Sequence, residues 1–290
     1  MAKALAKSGL QGPVLVLGAT SLIGGFLLPR LGSAGIAAIS VSRAPRPGAE
    51  GLTWLQADLT APAEFVAPPA PTVLSLIPIW LLPTVLPALT DAGMKRLVAF
   101  SSTSRFTKTA SSEAGERDVA RRLAEAEEAT IAACEAARVA WTLLRPTMIY
   151  AEGRDRNVSR LAALIGRWRV LPLSGGARGL RQPVHADDLA AAALAAAAAP
   201  AAANKAYDLP GGETLSYRAM AGRLFEAQGL TPRILAVPPP LWRAALTLAR
   251  PILPGATAAM GDRMAEDLTF DGAPAARDFG WSPRPFRPSF

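Results

Sequence analysis

Cysteine and histidine each occur once in 290 residues. With Cys134 alone no intramolecular disulfide can form, and Cys134 reads as a small packing residue on a helix face rather than a nucleophile. His185 has no second imidazole and no cysteine pair with which to share a zinc ion, so no metal is expected. Tyrosine is nearly as scarce: Tyr150, Tyr207 and Tyr217 are the full set, and none falls between Arg105 and Thr142. Five of the 31 basic residues are lysine, so the net charge of +8 rests on 26 arginines. No nucleic-acid module accompanies that charge, and nucleic acid is not expected as a partner. An unbroken apolar run is also missing, since Pro78, Pro83 and Pro87 interrupt Val73 to Leu89 and exclude an ordinary membrane-spanning helix. Met1 to Leu10 is short for an export leader and carries Lys3 and Lys7. The expectation is a soluble, cytoplasmic protein.

What the chain has in quantity is apolar mass. Half of its residues are hydrophobic, enough for a large core in one extended domain or in a domain with a smaller lobe. Val14 to Leu17 has the continuous hydrophobicity of a central parallel strand and runs directly into Gly18-Ala19-Thr20-Ser21-Leu22-Ile23-Gly24. Gly18 removes the Cβ that would block a tight turn, and Gly24 lets the following helix lie close to the strand. The free N–H groups at the helix start then point at a pyrophosphate, which makes Gly18, Thr20, Ser21, Leu22, Ile23 and Gly24 candidate cofactor contacts. Ser21 stands where a glycine is usual; its hydroxyl is small enough to fit and able to donate to phosphate. A tight turn without a ligand is the plain alternative.

A second strand, Ile36 to Ser42, ends at Arg43. In a dinucleotide fold that end faces the adenosine ribose, where an acid suits NAD and an arginine suits the extra phosphate of NADP. Ile36 through Ala49 holds no acid but does hold Arg43 and Arg46, so NADP is favoured over NAD. The third strand, Leu52 to Thr60, closes on Asp58-Leu59, where Asp58 can also cap the turn before Pro62. The fourth, Thr72 to Ile77, brings Leu76 to the same edge and leads into a proline-broken helix. The fifth begins at Leu97 and ends in Ser101-Ser102-Thr103-Ser104. Those hydroxyls sit over the crevice where ligands bind in such sheets, or serve as simple caps.

Gly18-x-x-Ser21-x-x-Gly24, Asp58-Leu59, Ser101-Ser102-Thr103 and Leu144-Arg145-Pro146 recur in one known pattern. So do Arg181-x-x-Val184-His185-x-x-Asp188-Leu189-Ala190 and Gly280-Trp281-Ser282-Pro283-Arg284. On these residues the chain resembles the extended short-chain dehydrogenases/reductases of the NAD-dependent epimerase/dehydratase kind, from about Val14 to Arg284. The resemblance implies an α/β doubly wound parallel sheet, a Rossmann fold, with a small C-terminal substrate lobe. Residues 1–150 would form the dinucleotide-binding domain and 151–290 a mixed lobe, some of whose segments return to the main sheet. It further implies that Asp58 and Leu59 hold the adenine, that Leu76, Ser101 and Pro146 line the cofactor, and that Thr103 orients the reacting oxygen.

The chain departs from the family at its chemistry. Short-chain enzymes carry Tyr-x-x-x-Lys on the helix after the fifth strand, the lysine lowering the phenol's pKa so that it exchanges a proton. Counting back from Leu143-Leu144-Arg145-Pro146, with Glu127 as the helix acid that follows the lysine, the pair falls near Val119 and Leu123. Neither carries a proton. Three readings stay open: Lys108 or Glu116 does the acid–base work, the cofactor is bound without turnover, or Thr103 acts with a water.

The second half gathers seven arginines between Arg154 and Arg181 around a single acid, Asp155, a field suited to an anionic small-molecule substrate or to a solvated helix face. Asn157, Arg160 and Arg181 are the candidate substrate contacts, the last by family resemblance. His185 is expected to be a structural hydrogen-bonding residue, with Asp187 or Asp188 capping the next helix. Pro238 to Arg250 is an apolar helix with Leu241, Trp242, Leu246 and Leu248. It offers a lid, a homodimer face or a peripheral membrane contact, with core packing as the bland expectation. The function expected is an NAD(P)-dependent oxidoreductase or epimerase-like enzyme acting on an anionic, nucleotide- or lipid-linked carbonyl or alcohol. The competing class is a non-catalytic NAD(P)-binding sensor or accessory subunit.

Overall fold

Val14–Leu17 is apolar at every position, the pattern of a strand covered on both faces, and all four residues are fully buried as β1. The computed structural model to which it belongs describes residue 10 and residues 12–249 and 258–290. The strands that follow are β2 (Ala38–Ser42), β3 (Leu52–Gln56), β4 (Thr72–Ser75), β5 (Arg96–Phe100), β6 (Ala140–Pro146) and β7 (Ile149–Tyr150). Then come β8 (Leu171–Ser174), β9 (Leu180–Arg181), β10 (Val184–His185), β11 (Lys205–Leu209), β12 (Leu215–Ser216) and β13 (Ile234–Val237). The first helices are α1 (Gly24–Ser33), α2 (Leu82–Asp91), α3 (Ser104–Thr107), α4 (Ala114–Ala136) and α5 (Val158–Trp168). They are followed by α6 (Ala186–Ala198), α7 (Tyr217–Glu226), α8 (Pro239–Ala249), α9 (Ala258–Arg263) and α10 (Ala273–Phe279).

Seven strands form one sheet in the order β11-β6-β5-β4-β1-β2-β3, and every pairing in it is parallel. Strand order reverses beside β1, so the connections leaving the carboxyl ends of β1 and β4 run to opposite faces of the sheet and leave between them the crevice in which doubly wound folds bind ligands. Helices α1 and α6 bury Leu27, Leu31, Leu189 and Leu194 on one face of the sheet. Helices α2 and α4 bury Val85, Leu86, Leu123 and Cys134 on the other. Cys134 is completely enclosed, and burial pushes its thiol up to about 11. A third cluster, with Tyr150, Val158, Phe225 and Phe286 at its centre, is the core of a lobe built from segments after β6.

Some boundaries differ from the sequence expectation. β4 ends at Ser75, because Ile79–Leu81 takes up a short 3-10 turn leading into α2. Pro83 lies in the first turn of α2, where a missing N–H costs nothing, and the helix continues through Pro87. β11, expected as a late strand of the lobe's sequence, pairs with β6 at the edge of the main sheet. The apolar segment after Pro238 is only partly packed: Trp242 rests against the lobe core while Leu241 stays 62% exposed. The side chain of Leu248 and the whole of Arg250 lie outside the described residues. Among the described residues no helix is long and apolar enough to cross a membrane.

Candidate functional site

The turn between β1 and α1 is held by three backbone amides. Ser21 N–H donates to the Gly18 carbonyl at 2.9 Å, Gly25 N–H to the Ser21 carbonyl at 3.1 Å, and Gly24 N–H to the Ser21 hydroxyl at 3.2 Å. Ser21 therefore replaces a glycine by capping the helix with its own side chain. The amides of Leu22 and Ile23 have no protein partner among the described residues. They lie at the positive end of α1, whose first turn contains no acid. The two glycines are obligatory. Gly18 has φ +74°, and a Cβ there would lie 2.9 Å from the Leu76 carbonyl carbon. A Cβ on Gly24 would lie 2.2 Å from the Ala19 carbonyl oxygen. Thr20 is exposed beside them and Ile23 is buried in the core. Leu76 N–H donates to the Leu17 carbonyl at 2.8 Å, which fixes the far wall of the crevice. The cradle fits the diphosphate of a dinucleotide: two free donors, a helix end and no side chain in the way.

Beyond the end of β2, Arg43 is exposed and Arg46 is oriented by two contacts, its Nε donating to Ser42 Oγ at 3.3 Å and its guanidinium lying 5.2 Å above the Trp54 ring. Asp58 accepts from both the backbone N–H and the hydroxyl of Thr60, at 2.9 and 2.7 Å. Those bonds hold its carboxyl below the usual carboxylate range. Asp58 thus closes an Asx turn onto Thr60, whereas the cap position before Pro62 is occupied by Ala61. Leu59 is buried in the core beneath it.

At the ends of β5 and β6 the side chains bond to one another. Thr103 is buried, and its hydroxyl and backbone N–H both donate to the Pro146 carbonyl, at 3.1 and 3.2 Å. Ser102 Oγ accepts from Ser104 N–H at 3.1 Å and helps start α3. Ser101 donates to Glu127, which has no solvent exposure at all. Arg105 also donates to Glu127, and Arg145 grips it through Nε at 3.1 and 3.0 Å and through Nη2 at 2.6 Å. Asp208 lies 3.7 Å from Arg145 on the neighbouring strand; burial pushes its carboxyl up despite that cation. This buried network was not read from the sequence as a unit, although Glu127 and Arg145 were each in view.

Val119 and Leu123, the positions at which the family's proton-transfer pair falls, pack into the apolar cluster on the α4 face. Lys108 and Glu116 do meet, 3.5 Å apart. Glu116 accepts from Ser111 Oγ at 2.7 Å and from Arg263 on α9. Burial works against its charge, but Ser111, Arg263 and Lys108 outweigh burial and hold the carboxyl below its ordinary range.

The lobe residues are placed differently from one another. Arg181 is 4% exposed and its guanidinium donates to the carbonyls of Leu180 at 2.6 Å, Glu266 at 2.7 Å and Arg263. It fastens the 263–266 segment instead of presenting a free cation to an anionic group. Gln182 extends that fastening, accepting from Phe270 N–H at 2.8 Å. Asn157 and Arg160 are exposed at the start of α5, and Arg160 lines an open hollow of about 590 Å³ with Arg156, Ser159 and Gln228. His185, not Asp187 or Asp188, caps α6: its Nδ1 accepts from Asp187 N–H at 3.0 Å while Nε2 faces Glu152 at 3.1 Å. The two aspartates are drawn away by Arg30 and Arg284. Among the described residues no group of three His, Cys, Asp or Glu could hold a metal ion.

The sequence profile of the NAD dependent epimerase/dehydratase family matches residues 81–209, from the turn before α2 through β11. No curated protein matches the chain. Among solved structures, MoeE5 in complex with UDP-glucose and NAD is 21% identical with a TM-score of 0.73, over 94% of each chain. UDP-glucose 4-epimerase from Thermotoga maritima, solved with UDP-glucose, is 15% identical with a TM-score of 0.69, over 93% of each chain. DesIV, a dTDP-glucose 4,6-dehydratase from Streptomyces venezuelae solved with NAD and TYD bound, is 16% identical with a TM-score of 0.68, over 93% of this chain and 92% of that one. At such identities the neighbours establish a shared fold, the Rossmann-like α/β architecture traced above. Residues 81–209 carry the likeness to the NAD dependent epimerase/dehydratase family, within a chain that shares the fold of these neighbours.

Proposed function

We propose that this chain is an NAD(P)-dependent, epimerase-like oxidoreductase that prefers NADP(H) and acts on an anionic carbonyl or alcohol, nucleotide- or lipid-linked. The observation that carries the reading is the corner between β1 and α1, where two glycines cannot accept a side chain and the amides of Leu22 and Ile23 await an acceptor. A nicotinamide nucleotide held there supplies hydride exchange with a carbon at the alcohol level. Arg43 and Arg46 beyond β2 support the preference for a 2′-phosphate, with Asp58 and Leu59 beside the adenine. Thr103 gives its hydrogen to Pro146 and keeps its oxygen as an acceptor. Lys108 and Glu116 provide a proton-carrying pair. Asn157 and Arg160 are the residues free to meet a substrate anion, and the UDP-glucose bound by two of the neighbours supports a nucleotide-linked one.

A second reading, cofactor binding without turnover in a sensor or accessory subunit, is favoured by one observation: Leu123 is buried in the core and Val119 packs against it. Calorimetric titration of the purified chain with NADP(H) and NAD(H) tests both. NADP(H) is expected to bind more tightly, and Arg43→Ala to weaken NADP(H) about tenfold with little change for NAD(H), as loss of one charge-assisted hydrogen bond requires. Failure to bind either nucleotide would end the proposal. Tight binding with no turnover of nucleotide-linked sugars, aldehydes or ketones would select the second reading.

A further inference from the structure

We propose that Arg154 is a clamp for the cofactor diphosphate, closing onto the start of α1 from the loop after β7. The inference rests on the reading of that corner as a dinucleotide site. Gly25, the second residue of α1, is exposed, and the place its side chain would take is filled by a guanidinium: a Cβ there would lie 2.4 Å from Arg154 Nη2 and 3.5 Å from Cζ. Beneath the guanidinium lies the ring of Phe26, 4.9 Å from Arg154 Cζ. Phe26 is itself held edge-on against His185 at a centroid distance of 5.3 Å, and both His185 ring nitrogens are engaged. The cation therefore has a fixed platform.

Among the described residues Arg154 makes no ion pair and no side-chain hydrogen bond. The acids near it in sequence are committed elsewhere. Asp155 receives the amides of Ala151, Asn157 and Ser159 together with the Ser159 hydroxyl, and Glu152 faces His185. Arg154 is exposed, so its repulsion by the positive end of the helix is weakened by water but keeps its sign, because helix N-termini attract anions and repel cations. A diphosphate between them reverses the sign of both interactions. The planar fork of arginine suits two phosphate oxygens at once, which a lysine in the same place would not do.

The test is calorimetry on the full chain with NADP(H), NAD(H) and ADP-ribose, comparing wild type with Arg154→Met, Arg154→Lys and Gly25→Ala. Arg154→Met is expected to lose at least about tenfold in affinity for all three ligands, with an unchanged thermal unfolding midpoint. Arg154→Lys should recover part of that loss. Gly25→Ala, which displaces the guanidinium, should weaken binding in the wild-type background and have no further effect in Arg154→Met. Wild-type affinity in Arg154→Met would overturn the clamp while leaving the cofactor site standing. A loss for the dinucleotides but not for ADP-ribose would place Arg154 away from the diphosphate and overturn it too. A wild-type protein that binds none of the three would overturn both this inference and the function on which it rests.

Discussion

Two corners of the same sheet edge are built on opposite plans. Where β1 meets α1, two glycines leave no room for side chains and the amides of Leu22 and Ile23 are left open, as the proposed cofactor site requires. Where β5 and β6 meet α3 and α4, polar groups converge on each other: Ser101, Arg105 and Arg145 all bond to a carboxylate, Glu127, that has no solvent exposure. One corner leaves its donors open, and the other spends its polar groups on a buried carboxylate. The difference teaches that an open turn and a closed polar network on one sheet edge are separable, since each is held by its own contacts.

Mutation of the two corners should therefore dissociate stability from binding. Glu127→Ala leaves two partly buried guanidinium groups facing each other without their shared, fully buried carboxylate, and should cost about 3–5 kcal/mol of stability in denaturant unfolding. The affinity of the molecules that remain folded should be close to that of the wild type. A drop in affinity with unchanged stability would mean that Glu127 belongs to the site after all. Gly24→Ala makes the opposite case. Its methyl group would strike the Ala19 backbone at 2.2 Å, and the helix must move away from β1 to admit it. Dinucleotide affinity is expected to fall by about 100-fold, against a stability loss of about 1–3 kcal/mol for an overpacked contact. Retained binding would show that the amides of Leu22 and Ile23 are not the cradle.

Much of the frame was legible in the sequence because its determinants are local. A strand covered on both faces is apolar throughout, as Val14 to Leu17 is, and a tight strand-to-helix turn shows itself in Gly18 and Gly24. What escaped depends on partners far along the chain. Arg181 reads as a free cation until the carbonyls of Arg263 and Glu266, 82 and 85 residues later, are brought against it. His185 caps α6 although aspartate is the commoner cap, because Arg30 and Arg284 pull Asp187 and Asp188 outward. The Glu127 network was half visible, since the acid and Leu144-Arg145-Pro146 were recognised separately while Arg105 carried no signal at all. Arg154 stands within an evident arginine cluster, yet what distinguishes it from its neighbours, the bare Cα of Gly25 and the Phe26 ring against its guanidinium, lies about 130 residues earlier in the chain.

The smallest expected effect lies between the two corners and the lobe. Glu116 at the start of α4 pairs with Arg263 of α9, and Phe106 of α3 stands 6.3 Å from Phe270, so two contacts tie the α3–α4 segment to the lobe. The folded protein holds the Glu116 carboxyl below its ordinary value of 4.5. A carboxylate shifted downward stabilises the fold above its unfolded pKa, and that contribution is lost as pH falls through the folded value. The tie should therefore hold at neutral pH and release below about pH 4.5, at a cost within the ~1 kcal/mol typical of a partly exposed ion pair. Hydrogen exchange over 104–116 and 263–270, corrected for intrinsic chemical rates, should show protection at pH 7 that falls as the pH is taken below 4.5. Glu116→Gln should exchange at pH 7 as the wild type does in acid. Equal protection in the two proteins at pH 7 would mean that packing of Phe106 on Phe270, rather than charge, joins the lobe to the corner where the family keeps its catalytic pair.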